Sequence, residues 1–166
     1  MKPGQKFRNA LKNNKPLIIP GTINAYSAKL AELANHNSIY LSGSGVAAAS
    51  YGLPDLGVTT LENVLIDAKR ITSATSLPLL VDIDTGWGDF DAISNTIIEM
   101  GNANVAAVHI EDQIFDKRCG HRPNKQLVSI DEMQDRLKAA LDAKIDDSFF
   151  IMARTDALAS EGIEKA

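Results

Sequence analysis

Short runs of consecutive apolar residues alternate along this chain with stretches in which apolar positions recur every three to four residues. Five runs read as buried strands ending in polar or small residues: Leu17-Ile18-Ile19-Pro20, Ile39-Tyr40-Leu41-Ser42, Leu79-Leu80-Val81-Asp82, Ala106 to Glu111 and Phe149 to Arg154. Between them, amphipathic stretches over Ser27–Asn35, Leu61–Thr75, Phe90–Met100 and Ile130–Ala143 predict helices. Thr59 with Glu62 and Ser129 with Glu132 have the spacing of a capping box, a hydroxyl before the helix and a carboxylate three residues on. Glu161 to Ala166 reads as the opening of one more helix.

Strand and helix alternating without hairpin signals require a parallel sheet with crossover helices, either doubly wound or a (β/α)8 barrel. The pattern alone fits both. A full barrel takes about 250 residues, whereas this chain has 166 and stops within an expected helix after its fifth strand. The expectation is therefore an α/β protein of (β/α)8 TIM-barrel type covering about the first five βα units, with residues 1–166 forming the N-terminal portion of a single domain.

In both folds functional groups collect at the carboxyl ends of the strands. Those ends are Ser42-Gly43-Ser44-Gly45, Asp82-Ile83-Asp84-Thr85-Gly86, His109-Ile110-Glu111-Asp112 and Arg154-Thr155-Asp156. Asp82 and Asp84 are two apart, so both carboxylates can face one side and approach one cation. Mg2+ suits such a pair because it takes one or two carboxylates and keeps other positions for water and substrate; the plainer alternative is one loop cap and one solvated carboxylate. Ser42 to Gly45 suits an oxyanion, whose approach to backbone N–H groups glycine permits, or simply a tight turn. It lacks the spacing of a nucleotide fingerprint. Arg154, closing an apolar strand, can fork a substrate carboxylate. His109 reads as a satisfied core histidine, Glu111 as a group behind a metal site, and Trp87 and Tyr51 as packing.

Cys119, the chain's single cysteine, stands in Lys117-Arg118-Cys119-Gly120-His121 ahead of the turn-like Arg122-Pro123-Asn124. A free cysteine is commonly an inert apolar group. Neighbouring cations are also the usual means of controlling a thiol, and a polar loop is where function concentrates.

Composition narrows the partners. With 45% hydrophobic and 23% charged residues and a formal net charge of -4, the chain has a globular make-up and lacks the basic character of a nucleic-acid or membrane-surface binder. A small molecule is the expected partner. One cysteine cannot form an internal disulfide, and no secretory leader or membrane span is visible, so a cytoplasmic setting is expected.

In combination, Ile39-Tyr40-Leu41-Ser42-Gly43, Gly52 to Gly57, Val81 to Gly86, His109 to Gln113, Lys117 to Pro123 and Ile151 to Asp156 make the segment Leu17–Ile163 resemble the 2-methylisocitrate lyases of the isocitrate lyase and phosphoenolpyruvate mutase superfamily. The resemblance implies a (β/α)8 barrel that cleaves 2-methylisocitrate, a small tricarboxylate, to pyruvate and succinate with Mg2+ as cofactor. It implies Asp82 and Asp84 as metal ligands and Ser42, Gly43, Ser44, Cys119, Gly120, His121 and Arg154 as substrate contacts. Cys119 would be the general acid, and Lys117, Asp55, Glu111 and Tyr40 the candidates for the base and its network. The family often has glycine where this chain has Ser44. Isocitrate lyases usually carry lysine in place of Arg118, and phosphoenolpyruvate mutases lack the cysteine loop. Isocitrate or another small 2-hydroxy or 2-oxo acid is the alternative substrate, and a catalytically incomplete half-barrel the alternative state. Family members form homo-oligomers, tetramers at full length, and run to nearly twice this length.

Overall fold

A computed structural model describes residues 1–120 and 122–166. The elements in chain order are α1 (Pro3–Asn13), α2 (Ala25–Leu33), β1 (Ile39–Leu41), α3 (Gly43–Tyr51), α4 (Leu61–Ala74), β2 (Leu79–Asp82), α5 (Phe90–Asn102), β3 (Ala107–Glu111), α6 (Ile130–Asp142), β4 (Phe150–Arg154) and α7 (Ala157–Glu161). The strands form one parallel sheet in the order β1-β2-β3-β4. A doubly wound sheet reverses its strand order at a switch point. Here each strand adds beside the one before it, as along the wall of a barrel.

Alternation along the strands divides the residues between two faces. Ile39, Leu41, Leu79, Val81, Val108 and Ile110 point outward into one cluster with Ala28, Val64, Ala68, Ile71, Ile93, Ile97 and Met100 of the covering helices. These strand positions are fully buried, so the outer face holds the sheet against its helices. The inner face is graded. At its amino end Leu80 and Ala107, with Tyr40 and Phe150, close around Phe7 of α1. Further along, register places Asp82, His109 and Met152 in one row and Glu111 beside Arg154 in the next. The inner face thus runs from an apolar floor to a charged mouth.

The tightest seam joins α1 to the segment before β4. A Cβ built on Gly4 would lie 2.2 Å from the Ser148 carbonyl oxygen, backbone against backbone. Overpacking of this kind costs about 1–3 kcal/mol. Gly4→Ala is expected to lower the unfolding free energy by about that amount despite alanine's better helix propensity. Urea denaturation checks this, and a stabilised variant would contradict it.

Several expectations need correction. The run Leu17-Ile18-Ile19-Pro20 is not a strand: it reaches the sheet only through a bridge between Gly21 and Tyr40, with Tyr40 N–H donating to the Pro20 carbonyl and Thr22 N–H to that of Tyr40. Pro16 and Pro20 bracket it and cannot donate to a ladder. Ser42 to Gly45 is no turn but the start of α3, with Ser42 as N-cap accepting from Gly45 N–H. Two glycines in its first turn obscure this helix, and α1, with Phe7 and Ala10 buried on one face, is a further helix outside the expected set. The cap of α4 is Thr60 paired with Asn63; Thr59 instead accepts the Trp87 indole N–H on its carbonyl. Ser129 does cap α6, but the Glu132 carboxylate turns to Arg136. The last helix ends at Glu161, where one was expected to begin, and Gly162 follows at φ +84.

Candidate functional site

The mouth of the inner face is built on Asp82. Its Oδ2 accepts Gly43 N–H at 3.2 Å and its Oδ1 accepts Asp84 N–H at 3.1 Å, so it ties the first turn of α3 to the loop after β2. Asp84 adopts φ +48, and this bend brings its carboxylate back toward the first. A Cβ on Gly43 would stand 3.3 Å from both Asp82 Oδ2 and Asp84 Oδ1, so glycine there leaves the space over the pair open.

Lys117 enters from the loop after β3. Its buried Nζ lies 2.8 Å from Asp55 Oδ1 and 2.7 Å from Asp84 Oδ1. Burial alone would lower its pKa, but the Asp84 and Asp55 carboxylates outweigh this and raise it, so the ammonium keeps its charge. Burial likewise raises the Tyr40 phenol, reinforced by Asp82. Asp55 is raised by burial and lowered more by the Lys117 ammonium and the Cys119 thiol, ending below the usual carboxylate range. The row beyond holds Arg154, with Nη1 3.0 Å from Glu111 Oε2 and Nη2 3.3 Å from Asp156 Oδ2. Burial pushes Glu111 up to about 7 against the pull of Arg154, and burial with the neighbouring Asp82 charge pushes Asp84 up to about 6.

These shifts separate the four groups expected to supply a base. Lys117 and Tyr40 hold their protons at neutral pH, and Asp55 holds its proton only in acid. Glu111 alone titrates near neutrality, where a general base works best. The cations expected to control Cys119 are also redistributed. Lys117 is committed to Asp55 and Asp84, Arg118 is exposed, and His121, an expected substrate contact, lies outside the described residues. The Cys119 thiol helps to hold the Asp55 carboxyl below its usual range, after the larger effect of Lys117.

The expected metal pair can be tested on these atoms. Asp84 Oδ1 and Glu111 Oε2 are buried and, despite their close cations, have no aligned hydrogen bond. Five carboxylates, of Asp55, Asp82, Asp84, Glu111 and Asp156, share this region with three cations, Lys117, Lys125 and Arg154. Among the described residues no group of three or more His, Cys, Asp or Glu side chains could enclose a metal. Asp82 and Asp84 are the neighbouring carboxylates that the site offers to a hard cation, and Mg2+ is an ion that takes one or two carboxylates and keeps other positions for water and substrate.

Of the remaining expected contacts, the structure gathers Ser42, Gly43 and Ser44 at the start of α3, with the two hydroxyls 3.0 Å apart. Gly120 abuts Arg154: a Cβ there would meet Nη2 at 2.3 Å. His109, read from sequence as core, belongs to the site. Its Nε2 is 3.0 Å from the Tyr40 hydroxyl, the rings stack at 5.6 Å, and Nδ1 stands 3.6 Å from Asp82 Oδ1 without a hydrogen bond. Burial lowers its pKa, so it is neutral near pH 7. Lys125 and Asp156 were given no role from sequence. Asp156 could have been found, since it follows Arg154 by two on the same side of the chain; Lys125 sits in a polar loop and carries no such signal.

Known proteins share this sequence and fold. The Phosphoenolpyruvate phosphomutase family matches residues 7–166. A 2-methylisocitrate lyase of Shewanella oneidensis is 64% identical over 97% of this chain and 55% of its own length, and one of Vibrio cholerae is 61% identical over 100% and 54%. Among solved structures, oxaloacetate acetylhydrolase in complex with 3,3-difluorooxalacetate superposes with a TM-score of 0.93 at 37% identity, covering 99% of this chain and 57% of that one. Phosphonopyruvate hydrolase in complex with oxalate and Mg2+ gives 0.83 at 31%, covering 99% and 56%. The chain thus spans about half the length of the relatives it matches.

Proposed function

This chain belongs to the phosphoenolpyruvate phosphomutase family, and on that premise we propose that it carries the metal- and proton-handling half of a lyase that splits 2-methylisocitrate into pyruvate and succinate. The observation that carries the reading is the single mouth at which Asp82, Asp84, Glu111, Lys117 and Arg154 converge. The names and identities of the two bacterial lyases support the substrate.

Cleavage removes the proton of the tertiary hydroxyl. The electrons of the O–H bond become the carbonyl of pyruvate, and those of the broken carbon–carbon bond pass to the carbon next to a carboxylate, which must gain a proton to become succinate. Glu111 is the base best poised to take the first proton, and Cys119 supplies the second. The backbone N–H of Ser44 at the start of α3, together with the Arg154 guanidinium, binds substrate carboxylates. Lys117 stays charged and restrains Asp55 and Asp84. Magnesium held by Asp82 and Asp84 would supply electrostatic stabilisation to the oxygens that gain charge.

Pyruvate release from 2-methylisocitrate, with Mg2+ and with EDTA, tests the proposal on this chain and on one extended to the relatives' length. Mg2+-dependent release is expected from the longer protein. Faster turnover of isocitrate there would replace the substrate assigned here. The exposed apolar residues Tyr26, Leu30 and Leu33 of α2, with Ile23 just before it, support assembly with further chain or with copies of itself.

The electrostatics predict a pH dependence of stability in EDTA. The folded pKa values of Asp84 and Glu111, about 6 and about 7, lie above their ordinary values of 3.8 and 4.5. The folded chain therefore binds these protons more tightly than the unfolded one. The stability they contribute is complete below about pH 4 and is lost as pH rises through about 6 to 7. Mg2+ added near neutral pH is expected to restore stability by neutralising the ionised pair. Urea midpoints across this range, compared with Glu111→Gln, provide the check; a decline as steep in the variant as in the parent would contradict the assignment to Glu111.

A further inference from the structure

Gln113 is fully buried just beyond β3 and meets the main chain on the amino side of Cys119 with both ends of its amide. Its Oε1 accepts Arg118 N–H at 3.0 Å, and its Nε2 donates to the Arg118 carbonyl at 2.9 Å. One side chain thus pairs with a residue as a neighbouring strand would. The same Nε2 lies 3.0 Å from Glu111 Oε1 and 2.9 Å from Asp156 Oδ2. Two hydrogens facing three acceptors fix the orientation of the amide, because the flipped form would set its oxygen against two carboxylates and a carbonyl. The Gln113 carbonyl is in turn held by Arg136 Nη1 at 2.9 Å, which anchors the residue to α6.

The other side of Cys119 is held as well. Lys125, its side chain only 4% exposed, donates to the Gly120 carbonyl at 2.5 Å and stands 3.8 Å from Asp156 Oδ1. Asp156 therefore receives Gln113, Lys125 and Arg154 together. Arg154, which the proposed chemistry assigns to the substrate, also packs on Gly120.

We propose that Gln113 is a positioning residue: by clamping the Arg118 peptide, with Lys125 and Asp156 completing the clamp behind Gly120, it seats the Cys119 thiol in the mouth and links that seat to Glu111 and Arg154. The inference rests on Cys119 belonging to the proposed lyase site. Its test needs no substrate, so the two can fail separately.

Cys119 is the chain's single thiol, and its alkylation by iodoacetamide reports on the loop without ambiguity. Gln113→Met keeps the side-chain length and removes the amide's hydrogen bonds to Arg118, Glu111 and Asp156. Under native conditions it is expected to alter the alkylation rate by about fivefold or more. The change should persist unaltered in urea too dilute to unfold the chain, as a local opening requires. A rate within about twofold of the parent would overturn the proposal. So would an increase that grows with urea in step with global unfolding, because that would mark a core residue and nothing more. Should Gln113→Met fail to fold, Lys125→Met loosens the loop from its other side and is held to the same criteria. In a protein that turns over, Gln113→Met is expected to lower kcat about tenfold with KM changed less than threefold; equal changes in both would contradict a role in seating the acid.

Discussion

Cys119→Ser, placed in a protein that spans the relatives' full length, is expected to reduce 2-methylisocitrate cleavage by about 100-fold or more, the usual worth of a general acid. A hydroxyl occupies nearly the same space but holds its proton far more tightly than a thiol, so the carbanion would lose its donor while the site kept its shape. Asp82 is held by the Gly43 N–H and Asp84 by the Lys117 ammonium, neither through Cys119. Mg2+ affinity, measured calorimetrically, should therefore stay within about twofold of the parent. Turnover above about a tenth of the parent's would remove Cys119 from the proton-transfer role.

Lys117→Met should have the largest effect on stability, a loss of about 3–5 kcal/mol near neutral pH. The ammonium lies between Asp55 and Asp84 with its side chain 6% exposed, and methionine would leave two carboxylates facing each other without a counter-charge. Breaking a buried pair from one side costs this much because the remaining charge is stranded. The loss should shrink on acidification, since stranded carboxyls have raised pKa values and contribute their stability only while protonated. Urea denaturation near pH 7 and again near pH 4.5 measures both parts. A loss below about 1 kcal/mol at the higher pH would mean that Asp55 and Asp84 find other partners.

Much of the fold was legible because the strands of a covered parallel sheet are simple to recognise. The runs at Leu79, Ala106 and Phe149 form strands, and the helices at Leu61, Phe90 and Ile130 begin where the periodicity places them. The partial barrel follows from the sequential strand order. Errors arose where local chemistry overrode the pattern. Prolines on either side of Leu17 to Ile19 leave too few donors for a ladder, and glycines at 43 and 45 conceal a helix that Ser42 caps.

In the site, strand-end residues could be gathered from sequence because a parallel sheet aligns its carboxyl ends. Their charge states could not. The pairing of Lys117 with carboxylates from two separate loops, across 62 and 33 positions, decides that it is a fixed cation. The same holds for His109: its neutrality follows from burial against Tyr40, on a strand 69 positions away. Gln113 lay inside a recognisable motif without a chemical signal, since its function depends on where the Arg118 peptide returns.

The register of the sheet carries a final consequence. Asp82, His109 and Met152 share a row only because Val81, Val108 and Ile151 share one on the other face. Side chains alternate, so a slip of β3 by one residue would swing His109 and Glu111 into the apolar layer beneath α4 and α5 and present Val108 and Ile110 to the mouth. Each misplaced polar group would cost several times the thermal energy. Helices that touch no substrate therefore act as proofreaders, rejecting any assembly of the sheet that does not also assemble the chemistry.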